Sequence, residues 1–520
     1  MEPVSFAFAA CSMVELCIKY GRSLHARCQA YIQAEAELAN TLLCIEGYWL
    51  KIEDEVTTLR DIWNGLDGRL QIHHNQVLQT LLQILQNAYS TLGDIFGEPE
   101  NSQNFGNLVA QQGKIQRLKY AAYGKKSLER IVEQLEHWHR HFDPSWILLS
   151  RLSVPIIQQK LAEKGQLGNK AIVPILQLRE AHNKSKLPTD ECLTTSIFLD
   201  ADYPIKNTKG IPFTTASMGL APTGKMVIVD KYTSREDVDH KVSKKDVRDL
   251  AVILSKVNPT FSSLLPCQGV ITAKDQSHFR MVFTVPCEMS LYNPCSLRSM
   301  LLNRANTYPL NERVHLAVSL ARSVVFLHAS RIVHKSISPE NIIILHPGMG
   351  VLGTPLLVGF ERFRFDEQRT NMVGDNLWEK NLYRHPARQG LQPEEIYNMR
   401  HDIYSIGACL LEIGLWKSFV YYMGDQTVPS SELPITDMLT TKSKRKAAVE
   451  IKSTLIDLAK MNLPQKMGKI YTDTVINCLT CLDSGSQIFQ DESEFEDEDG
   501  ILVGVRYIEK ILFEIEKIVV

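Results

Sequence analysis

Val333-His334-Lys335-Ser336-Ile337-Ser338-Pro339-Glu340-Asn341, followed by the apolar run Ile342-Ile343-Ile344-Leu345, is the stretch on which the rest of the chain hangs. Upstream, residues 313–329 place Val314, Leu316, Ala317, Leu320, Ala321, Val324 and Leu327 on one side of a single long helix. Downstream, residues 342–345 and 355–360 read as two short strands joined by the turn-rich His346-Pro347-Gly348-Met349-Gly350. Further on, His401-Asp402-Ile403-Tyr404-Ser405-Ile406-Gly407 opens a helix that continues through the apolar Ala408-Cys409-Leu410-Leu411-Glu412-Ile413. A helix, a polar loop, a hairpin and an Asp-led apolar helix in that order make the quoted loop a junction between packed elements.

At 520 residues the chain is too long for one hydrophobic core. Its 44% hydrophobic and 22% charged content is that of a globular protein, and a net charge of −2 gives no global attraction to nucleic acid. Eleven scattered cysteines without framework spacing fit a reducing cytosol. Cys478-x-x-Cys481 lies on a helical pattern without a second pair, so packing explains it better than zinc. No apolar run approaches the roughly 18 residues of a spanning helix, and Glu2 stands where a secretory leader would be basic. The expectation is a cytoplasmic protein.

Residues 1–24 are apolar, with Phe6 and Phe8 near the start and few polar residues before Lys19. Two readings stand: a first helix buried in its own bundle, or a segment that enters a lipid surface. From 25 to 97 the apolar positions repeat every three or four residues, through Leu38, Leu42, Ile45, Trp49, Ile52, Val56, Leu59 and Trp63, then Leu78, Leu81, Leu85, Ala88 and Leu92. That is the stripe of long antiparallel helices. A further helix spans 114–140 and is expected to close at His141-Phe142-Asp143-Pro144. Its seven Lys/Arg against three Glu, with Lys114, Arg117, Lys119, Lys125 and Lys126 close together, form either a solvated face or one attracted to anionic head groups. Residues 1–150 read as an all-α bundle and 151–205 as a connector.

From about 206 short strands appear, first Lys225-Met226-Val227-Ile228-Val229-Asp230-Lys231-Tyr232 and later Phe279-Arg280-Met281-Val282-Phe283-Thr284-Val285-Pro286. Residues 244–257 form a helix between them. Beyond 416, residues 449–461 and 471–482 read as two helices. The acidic tract 491–499 reads as a solvated loop, and 505–519 as a last amphipathic segment.

The quoted loop resembles the catalytic loop of protein kinases, H-R-D-x-K-P-E-N and a strand, with His334, Pro339, Glu340 and Asn341 in their places. Ser336 stands where that pattern has its catalytic carboxylate. Gly359-Phe360-Glu361 stands at the metal-binding D-F-G, so Gly359 replaces the metal ligand, and Glu361 is expected to point elsewhere. Asp402 and Gly407 match the D-x-W-S-x-G that braces the loop. The resemblance places the ATP-orienting lysine at Lys231 and leaves Lys231 and Asn341 as weak ATP contacts. Gly210, Gly219 and Gly224 are wrongly spaced for a phosphate loop, and helix 244–257 offers only Asp246 and Asp249 where a Glu is needed.

Residues 206–520 therefore resemble a bilobal protein-kinase-like domain (lobes 206–286 and 287–520), without an intact catalytic set. Residues 1–150 are similar to the HeLo and HeLo-like bundles of fungal cell-death proteins, on the apolar first helix, a helix end at Tyr20-Gly21, Ile45 to Leu50, and Phe142-Asp143-Pro144-Ser145-Trp146. Bundle then degenerate kinase resembles fungal HeLo-pseudokinase proteins and, more distantly, the mixed lineage kinase domain-like executor of necroptosis. The expected architecture is α+β overall, a helical bundle followed by the kinase-like domain. The resemblance implies a pseudokinase that controls a membrane-acting bundle. It requires no cofactor and no metal, and it takes an upstream trigger protein, anionic lipids and other copies of itself as partners, with recruitment to the plasma membrane on activation. A weakly active ATP-dependent Ser/Thr kinase and a pure interaction scaffold are the alternatives.

Overall fold

The computed structural model describes residues 3–32, 39–96, 114–149, 155–166, 176, 180, 197–233, 240–257, 259–275, 278–289, 292–303, 308–347, 351–365, 377–391, 393, 395–424, 426–433, 444–483, 485–486, 488 and 501–518. They fall into two compact units, Met1–Leu176 and Gln177–Val520.

The first unit is all-α: α1 (Pro3–Ile32), α2 (Ala39–Ile62), α3 (Gly68–Phe96), α4 (Lys114–Leu148) and α5 (Pro155–Gln166). The three-and-four spacing of apolar residues becomes buried stripes, Leu42, Ile45, Trp49, Ile52, Val56 and Leu59 on α2 and Leu78, Leu81, Leu85 and Leu92 on α3, and both helices pack against α1 and α4. Two expected helix ends are overridden by packing. α1 runs on through Gly21, where a Cβ would lie 2.0 Å from the Trp49 ring, so this glycine marks a close helix approach and not a cap. α4 runs through Pro144 to Leu148, despite the roughly 3 kcal/mol a proline costs inside a helix. Phe142 stacks on Trp138 at 4.9 Å and Trp146 at 5.5 Å, and the Ser145 hydroxyl meets His73 Nε2 at 2.6 Å, which anchor both sides of the proline. α5 packs on α2, so the first unit reaches past the boundary expected at 150.

In the second unit a six-stranded sheet runs in the order β1-β5-β6-β4-β3-β2. Its strands are β1 (Phe198–Leu199), β2 (Lys206–Gly210), β3 (Ser217–Leu220), β4 (Met226–Thr233), β5 (Cys267–Thr272) and β6 (His278–Thr284). Among the described strands only β1 and β5 pair in parallel, and β1 falls within the expected connector 151–205, which thus supplies one strand of this sheet. Ala221, Val227, Val229, Ile271 and Val282 form its core. Helix α6 (His240–Leu254) covers β5 with Val247, Leu250, Ala251 and Leu254.

The rest is mainly helical. β7 (Asn293–Ser296) leads into α7 (Leu297–Leu302), whose N-cap is the Ser296 hydroxyl, and then α8 (Leu310–Ala329). β8 (Ile332–Val333), β9 (Ile342–His346), β10 (Thr354–Leu357) and β11 (Arg364–Phe365) follow, and then α9 (Met399–Leu415). The hairpin β12 (Val420–Met423) and β13 (Gln426–Pro429) precedes α10 (Lys444–Leu479), a pair of helices joined at a kink at Gly468, φ 79°. α11 (Ile501–Tyr507), a π turn over Ile508–Leu512 and α12 (Phe513–Glu516) close the chain. α9 is buried along its length except at Arg400 and begins in a capping box of Asn398 and His401. A Cβ on Gly407 would lie 2.7 Å from Cys478 Cβ, so Gly407 lets α9 and α10 touch, and Cys478 and Cys481 are packing residues. The chain is α+β, helices first and a mixed sheet region after them. Among the described residues no helix is long and apolar enough to cross a membrane.

Candidate functional site

The loop between β8 and β9 is held from below by Asp402. That carboxylate is fully buried at the start of α9 and accepts the backbone N–H groups of His334 (2.8 Å) and Lys335 (2.9 Å) and the hydroxyl of Tyr397 (2.9 Å). Lys335 sits at φ 67°, a left-handed conformation that costs a side-chain-bearing residue roughly 1–2 kcal/mol. Asp402 offsets that strain by taking the two N–H groups that lead into the bend. Burial alone would raise its pKa, but His328, 3.3 Å away, and His334 outweigh burial and hold the carboxyl below its ordinary value.

His334 is also buried. Its Nε2 faces the Val358 carbonyl at 3.0 Å and its Nδ1 accepts the Ser336 N–H at 3.3 Å, so the proton of the neutral ring sits on Nε2. Burial pushes its pKa down to about 4 against the pull of Asp402. The ring packs on Phe360 at 4.8 Å and ties the loop to the segment after β10.

Across from the loop, Gly359 adopts φ +83°, and a Cβ there would lie 2.2 Å from Asn341 Cγ and 2.3 Å from Oδ1. The Asn341 side chain thus occupies the space that any side chain at 359 would need. Its Nδ2 donates to the Ser336 carbonyl at 2.6 Å, which directs the amide into the loop.

The strand residue that meets this segment is Asp230. It is 3% exposed, Oδ2 accepts the Gly359 N–H at 2.8 Å, and Oδ1 accepts the Thr215 hydroxyl at 3.1 Å. Burial raises its pKa, opposed by its hydrogen bonds from Gly359, Thr215 and Phe360 and reinforced by the charge of Glu361. Lys231, expected in the cleft, is exposed on the other side of β4, opposite Arg280 in the register. The strand is therefore one residue out of the expected phase: Val227 and Val229 turn to the core of the sheet, and on the opposite face Asp230 meets Gly359. Asp249 on α6 gives Lys231 no partner, because Arg248 holds it through Nε (2.8 Å) and Nη2 (2.6 Å). Burial pushes the Asp249 carboxyl up to about 6 even so.

Between these groups lies a cavity of about 300 Å³, whose lining includes Thr214, Thr215, Ser336, Ser338, Asn341, Gly359 and Tyr422 and the charged residues Glu361, Glu379, Lys380 and Arg384. Glu361 was expected to point elsewhere; it lines this cavity, with Arg362 Nε at 3.9 Å and Lys380 Nζ at 4.0 Å. The turn between β2 and β3 reaches over to the helical half. Phe213 packs on Tyr422 of β12 at 4.7 Å, and the Ser296 hydroxyl donates to the Pro212 carbonyl at 2.7 Å.

Below the cavity lies a buried network that sequence reading missed. The inaccessible Arg298 donates from Nε to Glu340 (2.9 Å), from Nη1 to Glu412 (2.9 Å) and to the Ser418 hydroxyl (2.6 Å), and from Nη2 to the Tyr383 hydroxyl. Burial works against Glu340 carrying charge, but the guanidinium outweighs it and holds that carboxyl below its ordinary value. Arg298 and Glu412 lie 114 positions apart, and neither carries a local motif.

Among the described residues His385, Glu395 and His401 bring three ligand atoms within 4.8 Å of one another. The Lys452 ammonium lies 3.1 Å from His385 Nε2, and His401 Nδ1 is already engaged in the α9 cap, so this group is read as a brace. Of the expected membrane contacts, Lys125 and Lys126 are exposed on α4. The side chains of Phe6, Phe8, Lys114, Arg117 and Lys119 lie outside the described residues, as does the acidic tract 491–499.

No protein-family model matches the chain. A stretch of 128 residues is 27% identical to U-box domain-containing protein 52 of Arabidopsis thaliana, covering 22% of this chain and 14% of that protein. So short a match to a far longer protein shows no family.

Proposed function

We propose that the second unit is a protein-kinase-like domain without phosphotransfer activity, a regulatory element that holds or releases the N-terminal bundle in cell-death signalling. The observation that carries this reading is the contact of Asp230 with Gly359. Phosphoryl transfer depends on cations, a lysine and metal ions, placed against the phosphates. In this cleft a buried carboxylate takes the strand position of the lysine, and Asn341 fills the space where a metal-binding side chain would project from 359. Triphosphate and Asp230 would repel each other, and no carboxylate at 336 accepts a substrate proton. The intact Asp402 brace supports use of the fold for its shape. A trigger protein would act by binding one of two conformations better than the other, and the bundle, by its HeLo resemblance, would act on anionic membranes as an oligomer recruited from the cytoplasm.

The test is a thermal-shift titration with ATP, with and without Mg²⁺, alongside radiolabelled autophosphorylation of the full chain. The expected result is no Mg²⁺-dependent shift and no incorporation. Incorporation that disappears in a Ser336→Ala or Asn341→Ala variant overturns the reading. Liposome binding by the full chain and by a chain lacking residues 1–20 tests the membrane role, with loss expected for the shortened chain.

A further inference from the structure

The β12–β13 hairpin is a wall between two cavities. Tyr421 pairs with Val428 and Tyr422 with Thr427 across the ladder, so the period-two alternation of strands sends neighbouring side chains to opposite faces. Tyr422 and Thr427 line the cleft described above. Tyr421, Met423 and Val428 line a second groove of about 850 Å³, whose floor includes Leu301, Leu415 and Trp416. Met423 is 72% exposed, an unusual position for a large apolar side chain and one suited to an adaptable binding surface.

The rim of this groove is cationic. Arg313, Lys417 and Lys466 stand around it against one carboxylate, Glu432, which Lys417 already holds at 2.6 Å. Arg313 lies 5.8 Å from the Trp416 ring and donates to the Tyr308 carbonyl at 3.0 Å, so the aromatic floor and the charge share one support. An aromatic floor under a rim with net positive charge selects an acidic segment that carries one large apolar side chain. The groove is also within the usual volume range of ligand pockets, roughly 300–1,000 Å³.

We infer that this groove is a docking site for an acidic peptide segment of a second protein, anchored by an aromatic or large aliphatic side chain, and that its occupancy is transmitted to the cleft through the hairpin. The transmission is geometric. Displacing Tyr421 and Met423 moves the strand that carries Tyr422, whose ring holds Phe213 and whose hydroxyl donates to Glu340 at 3.3 Å. The turn between β2 and β3 therefore feels the groove without touching it. The inference rests on reading the second unit as a regulatory element, and it identifies the chemistry of that element's input.

The experiment uses the full chain and a fluorescein-labelled short peptide of one Trp flanked by glutamates, with a lysine-flanked counterpart as control. Anisotropy is expected to show binding of the acidic peptide alone, weakened about tenfold or more by Lys417→Glu combined with Lys466→Glu, in protein whose melting temperature is unchanged. Hydrogen exchange at residues 211–216 is expected to change on binding. Tyr422→Ala is expected to keep the binding and lose that change. Equal binding of both peptides, binding of neither, or binding indifferent to the charge reversals overturns the docking site. Binding without altered exchange in the unmutated chain overturns the transmission. None of these readouts involves nucleotide, so phosphotransfer activity would break the pseudokinase reading while leaving the groove result to stand by itself.

Discussion

Asp230 and Asp402 are both buried carboxylates that accept backbone N–H groups from a neighbouring segment, yet their environments move them in opposite directions. Asp402 lies in the first turn of α9 with His328 at 3.3 Å and is held below its ordinary pKa. Asp230 lies mid-sheet, and burial raises it while Glu361 adds like charge. One is a brace whose ionised form is matched by its surroundings. The other is a plug, held by hydrogen bonds in a place that disfavours its charge. The loop rests on a carboxylate whose charge its surroundings favour, while the segment after β10 meets one whose charge they disfavour.

Removing the brace should have the largest effect. Asp402→Ala strands the N–H groups of His334 and Lys335 and leaves the left-handed bend at Lys335 unsupported, so a loss of about 3–5 kcal/mol is expected in denaturant unfolding of the second unit. Asp402→Asn should lose less. If both substitutions are silent, the loop is held by something else.

Gly359→Ala should come next, at about 2–3 kcal/mol, because the Cβ meets Asn341 and the backbone stands at positive φ. Adding Asn341→Ala should recover part of that loss in a double-mutant cycle. Strict additivity would mean that the two residues do not share this space.

Acid should separate the two carboxylates by sign. Asp402, depressed in the folded state, contributes stability above the ordinary value of 3.8 that is lost as pH falls through its lower folded pKa. Asp230, raised in the folded state, contributes most below 3.8, and that contribution is lost as pH rises through its raised pKa. Melting curves from acid to neutral pH should show Asp402→Asn losing its penalty in acid, whereas Asp230→Asn should compare best with the parent near neutrality. Parallel profiles for both variants would remove the contrast drawn above.

Lys231→Ala should be nearly silent, within about 0.5 kcal/mol, because the side chain is exposed. A large destabilisation would place that lysine in the cleft after all.

The sequence carried most of what depends on local pattern. Asp402 and Gly407 stand at a fixed offset before an apolar helix, and both do structural work there, one under the loop and one against Cys478. The three-and-four spacing on α2 and α3 foretold which residues would be buried. What stayed hidden depends on partners distant in the chain. β4 is buried on both faces through Met226–Val229, so alternation gave no phase, and the choice between Asp230 and Lys231 rested on motif alignment alone. Asp230 was itself the available signal, as the out-of-place residue in an apolar run. Gly21 and Pro144 obey helix-ending rules that the aromatic packing around Trp49 and Phe142 overrides. The Arg298 network and the clasp of Phe213 on Tyr422 join residues that no spacing rule connects.

The fit of Asn341 against Gly359 also ties the two positions to each other. Any side chain introduced at position 359 meets the Asn341 amide first, so the change lowers stability. Asn341 would have to turn away first, giving up its bond to the Ser336 carbonyl and loosening the loop. A side chain at 359 therefore becomes tolerable only together with a change at 341, so the two positions behave as one unit.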